Sequence, residues 1–169
     1  DELDARMAPF MATAGYDVES LPTFRAALAL EHERIKRLSE APKALAFFFR
    51  DEEYDPSILV PRGATAAHAL ELLNGAIGVC QEAVDTGDWT VAGLDERFRA
   101  HAEALGLATG KQRGQLFGVV RVAATGRTAT PPLFDTLAVL GASTVMRRLA
   151  SARAHLYALT SAQADGTPR

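Results

Sequence analysis

Apolar positions along the 169-residue chain recur at helical spacing almost from end to end. Residues 3–14 predict a short helix ended by Gly15. Leu21, Phe24, Leu28, Ile35 and Leu38 step by 3, 4, 7 and 3, one face of a longer helix. Pro42 fits the first turn of the next helix, whose Leu45, Phe47, Phe48 and Phe49 are too apolar for a surface segment and are expected in the core. From Thr65, which suits an N-cap, Leu70, Leu73, Ile77, Cys80 and Val84 mark an amphipathic helix closed by Gly87 and Asp88. Thr90 suits the cap of another helix, with Val91, Leu94, Phe98, His101 and Leu105 on one face, Trp89 folded back on its first turns and Gly106 at its end. A helix from about Lys111 to Ala124, a short helix entered through Pro131 and Pro132, and a last helix from Ser143 to about Leu159 complete the pattern. No alternating run of useful length competes, so the expected fold is all-α.

The acidic stretch Arg50-Asp51-Glu52-Glu53-Tyr54-Asp55-Pro56, followed by Pro61 and Gly63, breaks this periodicity. It divides the expected architecture into a first lobe at 1–60, a second at 61–160 and a frayed tail at 161–169. The chain does not begin with methionine, which points to a processed or truncated product. An apolar content of 48% supplies a core, while the absence of an eighteen-residue apolar run and the acidic start argue against a membrane span or a secretory signal. The expected compartment is therefore the cytoplasm. Cys80 is the single cysteine, which excludes an internal disulfide and any cysteine-rich metal site; its place in an apolar stripe reads as core.

Charge changes the picture more than composition does. The net −3 hides halves of −9 (residues 1–103) and +6 (residues 104–169), and no carboxylate lies between Glu103 and Asp135. Such segregation fits an anionic partner for the second half, although solvated helix faces could produce it as well. Catalytic and metal signatures are missing: the four histidines show no HExxH spacing, Gly106 and Gly110-Lys111 fall one residue short of a phosphate loop with Gln112 where a hydroxyl is needed, and Ser143 lacks a nucleophile elbow and reads as a helix cap. Arg147, Arg148 and Arg153 raise the possibility of a DNA-binding regulator, but helix-turn-helix spacing is absent and no DNA partner is expected.

The informative segment is GKQRGQLFGVVRVAATGRTATPPLFDTLAVLG, residues 110–141. It reads as a basic helix bearing Lys111, Arg113 and Arg121, a turn at Thr125-Gly126-Arg127, and a rigid step Thr130-Pro131-Pro132-Leu133-Phe134 that opens another helix. An apolar ledge of proline, leucine and phenylalanine beside guanidinium groups suits unstacked RNA bases. The same residues also admit a plainer account, a proline-initiated helix that packs Leu133 and Phe134 into the core.

This segment resembles the C-terminal signature of glutamyl-tRNA synthetases, in the string K-x-G-x-LF-x-x-x-R-x-A-x-TGR-x-x-x-PPLF-x-x-L-x-x-LG. The stretch Glu33-Arg34-Ile35-Lys36-Arg37-Leu38-Ser39-Glu40-Ala41-Pro42, with the phenylalanines at 47–49, is similar to the family's first anticodon-binding lobe, and Trp89-Thr90 to the start of a later family helix. The resemblance implies a two-lobed helical cage, its first lobe N-terminally truncated here, that grips the anticodon loop of tRNA-Glu. By motif matching, it places Arg34 at the third anticodon base, Arg121, Thr130 and Leu133 at the first, and Pro131, Pro132, Leu133 and Phe134 at the middle uracil. Lys111, Arg113 and Arg127 become supporting contacts to the RNA backbone. Arginine at 34 is similar to the members that discriminate against tRNA-Gln; a salt bridge to Glu31 or Glu33 is its plainer role. Two departures stand out: Val119-Val120 where the family has Pro-Leu, and Thr130 for a frequent serine.

The family's ATP-binding motifs are absent from these residues, so the chain is expected to be no enzyme alone. It is expected to carry no cofactor and no metal, with ATP and Mg²⁺ belonging to the N-terminal catalytic domain of the same polypeptide. A monomer is expected. The alternative is a helical protein-interaction or structural domain that binds no RNA.

Overall fold

The computed structural model describes residues 2–18 and 23–165, and within these it is helical with no strand. Helices α1 (Glu2–Thr13), α2 (Phe24–Glu31) and α3 (Ala41–Phe49) form one compact unit ending at Glu52. Helices α4 (Ala66–Asp85), α5 (Val91–Ala104), α6 (Gly110–Thr125), α7 (Leu133–Leu140) and α8 (Ala142–Asp165) form a second, beginning at Glu53. That division falls earlier than residue 60. Pro56–Leu59 forms a 3₁₀ turn, capped by Asp55 accepting from the Ser57 N–H at 2.9 Å, and it packs on α6 and α8 with Leu59 fully buried. Among the described residues, no helix is long and apolar enough to cross a membrane.

In the first unit, α1 and α2 both pack on α3 around Met7, Met11, Phe24, Leu28, Leu45 and Phe47. Phe48 is also buried, whereas Phe49 is half-buried beside Tyr16 and Phe24. Gly15, with φ +86°, follows α1 in the left-handed conformation that glycine adopts without a Cβ penalty. The long helix expected through Leu38 is not formed. Helix α2 stops at Glu31, the Arg34 N–H turns back to the Glu31 carbonyl, and Arg37 is extended at φ −134°, ψ 139°. The Glu40 carboxylate accepts from the Lys36 and Arg37 N–H groups at 3.2 and 3.3 Å, so a side chain satisfies backbone donors that a continued helix would have used. Ile35 and Leu38 are half-buried outside α2, and Leu21 lies outside the described residues.

In the second unit, α8 runs along α4 and also meets α6, α7 and the 3₁₀ turn. The α4 face that is buried is Ala66, Ala69, Leu72, Leu73, Ala76, Val79, Cys80 and Ala83. Leu70 and Ile77 are half-buried and Val84 is exposed, so the core stripe is centred on alanines rather than on the largest side chains. On α5, Leu94, Phe98 and Ala102 face inward, while Val91 and Leu105 are exposed. Thr65 and Thr90 cap α4 and α5 as expected, accepting from the His68 and Gly93 N–H groups at 3.1 and 3.0 Å.

Other local expectations are corrected. The half-buried Trp89 reaches beyond α5: its indole N–H donates to the Leu137 carbonyl at 3.0 Å, tying the α4–α5 connection to α7. Ser143 is not the cap of α8, because the Gly141 carbonyl, at φ +82°, already accepts from the Val145 N–H. Residues 161–165, expected to fray, continue α8, and 166–169 lie outside the described residues. Arg148, one of the three arginines that pointed to a DNA-binding alternative, is buried and donates to the Ala124 carbonyl at 2.8 Å. It thereby satisfies a C-terminal carbonyl of α6 that the helix leaves unpaired.

Cys80 is fully buried, and desolvation pushes its thiol up to about 12. At pH 8 the thiolate fraction is then about one in ten thousand. A thiol-specific reagent is expected to label Cys80 only in step with unfolding along a urea titration; stoichiometric labelling of the folded chain within minutes contradicts this packing.

Candidate nucleic-acid interface

Helix α6 begins where Thr109 and Gln112 cap one another: the Thr109 hydroxyl accepts from the Gln112 N–H at 3.2 Å and the Gln112 side chain accepts from the Thr109 N–H at 3.1 Å. The residue that spoiled a phosphate-loop reading is thus half of a capping box. The helix passes Val119 and Val120 without a break, both fully buried, and closes at Gly126 with φ +73°. Thr125, buried beside this turn, donates its hydroxyl to the Arg121 carbonyl at 2.6 Å and accepts from the Arg127 N–H at 3.1 Å. One side chain therefore fixes both sides of the reversal.

The chain leaving this turn is anchored on α6 by a second hydroxyl. Thr130 is 9% exposed; its Oγ1 accepts from Arg121 Nε at 3.0 Å and donates to the Pro131 carbonyl at 2.9 Å. Pro131 is buried, Pro132 is exposed, and α7 starts directly after them. The Thr136 hydroxyl donates to the Pro132 carbonyl at 2.9 Å, and the Thr136 N–H reaches the same oxygen at 3.0 Å. Both proline carbonyls are thus engaged within the corner. The first N–H groups of α7 have no intrahelical acceptor, and Pro132 offers no side-chain cap.

An exposed apolar ledge is not what forms. Leu133 is 6% exposed and belongs to the core, and Phe134 is half-buried, its ring centroid 5.5 Å from that of Phe98 and 5.8 Å from that of Phe117. Amphipathic burial explains this: the first turn of an eight-residue helix packed on α5 places these two side chains inward. What the corner leaves outside is Pro132 and the partly exposed Arg121, with Phe134 and Asp135 half-buried at the start of α7.

The other expected residues fall in different settings. Arg121, Thr130, Pro131, Pro132, Leu133 and Phe134 are brought together at the α6–α7 corner, with Arg127 half-buried in the adjoining turn. Lys111 is exposed in the first turn of α6, and Arg113 donates Nε to the Leu107 carbonyl at 2.9 Å, which gives it a role in the α5–α6 connection. Arg34 belongs to the first unit, where its Nε lies 3.1 Å from Glu31 Oε2. The Glu31 side chain is 5% exposed and that of Arg34 47% exposed. The salt bridge weighed as the plainer role of Arg34 is thus present, and it holds one edge of a planar donor group against a buried carboxylate while leaving much of the side chain at the surface. Glu31 carried no role of its own in the sequence; its spacing of three from Arg34 was the available signal.

Removing the Thr130 hydroxyl leaves the corner unfastened. Thr130→Val is expected to destabilise the chain by about 1–3 kcal/mol in urea denaturation, and Thr130→Ser to stay within about 1 kcal/mol of the parent. Equal stabilities for the two variants contradict the hydroxyl's role.

The anticodon binding domain family matches residues 2–153 of this chain. Among curated relatives, a glutamate–tRNA ligase of Roseiflexus castenholzii is 45% identical over 158 residues, covering 90% of this chain and 30% of the relative. One of Chloroflexus aurantiacus is 41% identical over 165 residues, with 92% and 31% covered, and one of Dehalococcoides mccartyi is 35% identical over 162 residues, with 95% and 30% covered. The chain therefore spans somewhat under a third of the length of these relatives. With the family matched across both helical units, from α1 into α8, the chain belongs to the anticodon binding domain family.

Proposed function

We propose that this chain recognises the anticodon loop of tRNA-Glu on behalf of a glutamate–tRNA ligase. In this reading the chain is the anticodon-gripping region, it has no catalytic activity alone, and ATP, Mg²⁺ and glutamate are bound by a catalytic domain outside residues 1–169. The observation that carries the reading is the α6–α7 corner. A guanidinium fixed by a buried hydroxyl sits at a proline-stiffened turn, within a family matched to anticodon binding. A surface built before its ligand arrives loses little conformational freedom on binding.

The burial of Leu133 and the half-burial of Phe134 sharpen how bases would be read. Stacking on Leu133 is not available, so Pro132 and the half-buried Phe134 ring offer the apolar contact and the main chain offers the polar one. Proline has no N–H, and the proline carbonyls are occupied by Thr130 and Thr136. The uncapped N–H groups opening α7 are donors, and they match the carbonyl acceptors of a uracil at the middle position. Arg121 then serves the first base, with Thr130 setting its direction and Leu133 supporting the corner from within. At the third base, Arg34 donates to the acceptor edge of cytosine, its orientation set by Glu31. A guanine there, as in a glutamine anticodon, presents a larger ring with a different pattern of donors and acceptors.

Titration of the chain with the anticodon stem-loop of tRNA-Glu, and with the same RNA carrying guanine for cytosine at the third position, tests this assignment. The parent chain is expected to prefer cytosine by about tenfold or more, since one good base contact is worth about 1–3 kcal/mol. Arg34→Gln is expected to bring the ratio close to one. A ratio unchanged by Arg34→Gln leaves that arginine as a surface ion-pair residue, and equal binding of both RNAs by the parent removes base reading altogether.

A further inference from the structure

Along the second unit, one face of α6 stays uncovered by packing. The turn Pro61-Arg62-Gly63 lies beside it and encloses a groove of about 530 Å³ lined by Pro61, Arg62, Gly63, Lys111, Gly114 and Gln115. A second hollow of about 270 Å³ shares Pro61 and Arg62 with the first and extends to Gly118, Val122 and Thr128. Together they follow α6 from Lys111 to Val122, about 16 Å at 1.5 Å per residue. They end at the loop that carries Thr128 toward Thr130.

Three features mark the groove as a place for a polyanion. Arg62 and Lys111 are both exposed, and among the described residues neither makes a salt bridge. No lining residue is acidic, and the surrounding sequence has no carboxylate between Glu103 and Asp135. The floor is glycine: a Cβ at Gly114 or Gly118 would meet nothing within 4 Å, so these residues leave an open channel where other side chains would project. Helix interiors do not favour glycine, which costs about 1 kcal/mol against alanine, and here packing against a neighbour does not account for it. The turn is held in shape by Pro61, by Gly63 at φ +80° and by the Gln115 side chain donating to the Arg62 carbonyl at 3.4 Å.

We infer that this groove seats the sugar-phosphate backbone of the bound RNA, with Arg62 and Lys111 as the phosphate-facing cations and Gly114 and Gly118 as the floor on which the strand lies. The inference rests on the anticodon reading for the identity of the ligand. It adds Arg62 to the RNA-contacting residues and gives Arg113, whose Nε is held by Leu107, a lesser part. Contacts of this kind position an RNA without reading it.

Binding of the matched and third-base-changed stem-loops is measured against salt for the parent chain, the double variant Arg62→Gln/Lys111→Gln, Gly114→Glu and Gly114→Ala. The three positions changed, Arg62, Lys111 and Gly114, are exposed, so folding is expected to be retained. The double variant is expected to lose roughly three- to tenfold for each cation, by the same factor for both RNAs, and its salt slope to fall by about 0.7 per lost phosphate contact. Gly114→Glu is expected to weaken both RNAs as strongly, and Gly114→Ala to leave them within about twofold. Base preference that persists while the double variant and Gly114→Glu bind like the parent overturns the groove and leaves the anticodon reading standing. Loss in these variants with no base preference in the parent overturns base reading and keeps the groove as a backbone site. A parent that binds neither RNA at low salt overturns both.

Discussion

The close approach of α4 and α8 is the constraint on which the second unit depends. Half of the buried face of α4 is alanine, Ala66, Ala69, Ala76 and Ala83, and α8, which packs on α4, buries Val145, Leu149, Ala152 and Leu156. Small side chains on one helix let the backbones come near, and the branched residues of the other fill the remaining space. Helix α6 packs against both, so its position follows from theirs. Arg148 makes the dependence explicit: it leaves α8 to meet the Ala124 carbonyl in the last turn of α6, the turn that precedes Gly126 and the proline corner. A buried guanidinium without its partner would be costly, so the end of α6 is held where α8 places it.

What the sequence made legible was local chemistry. Thr65 and Thr90 announced their helices because a hydroxyl followed by an apolar period has one good use, and Gly15, Gly106 and Gly126 ended theirs because a left-handed residue without a Cβ has few others. The faces were legible only approximately. Large side chains suggested Leu70, Leu73, Ile77, Cys80 and Val84 as the α4 stripe, of which Leu73 and Cys80 are in the core; the rest of the buried face is set by the helices that pack there, and its alanines carry too weak a hydropathic signal to reveal it. The break after Glu31 was hidden for a different reason: Ile35 and Leu38 keep helical spacing, and the competing interaction is a single carboxylate, Glu40, taking two backbone N–H groups. Trp89 and Arg148 find partners 48 and 24 positions away in the chain, distances over which periodicity carries no information.

The candidate site divides along the same line. The residues of the corner were identifiable as a group, since prolines, a threonine and an arginine at that spacing restrict the backbone whatever surrounds them. Their accessibility was not, because whether Leu133 and Phe134 face solvent or the core depends on where α5 sits, and the aromatic cluster with Phe98 and Phe117 brings together three helices. Lys111 was visible as a cation in an acid-free stretch, whereas Arg62 lies beyond that stretch and meets Lys111 only through the fold.

Rigidity and reading are linked at the corner through hydrogen-bond capacity. Two prolines remove two N–H donors from the backbone, and their carbonyls are taken by Thr130 and Thr136, so the turn presents almost no polar main chain of its own. Polar recognition is thereby pushed to its two borders: the Arg121 guanidinium on one side, aimed by the Thr130 hydroxyl, and the first amides of α7 on the other. The α7 border also carries an acceptor, the half-buried Asp135 in the first turn. Under the proposed anticodon reading, the saturation that makes the corner stiff leaves polar base contacts to groups at its borders whose positions the fold sets beforehand.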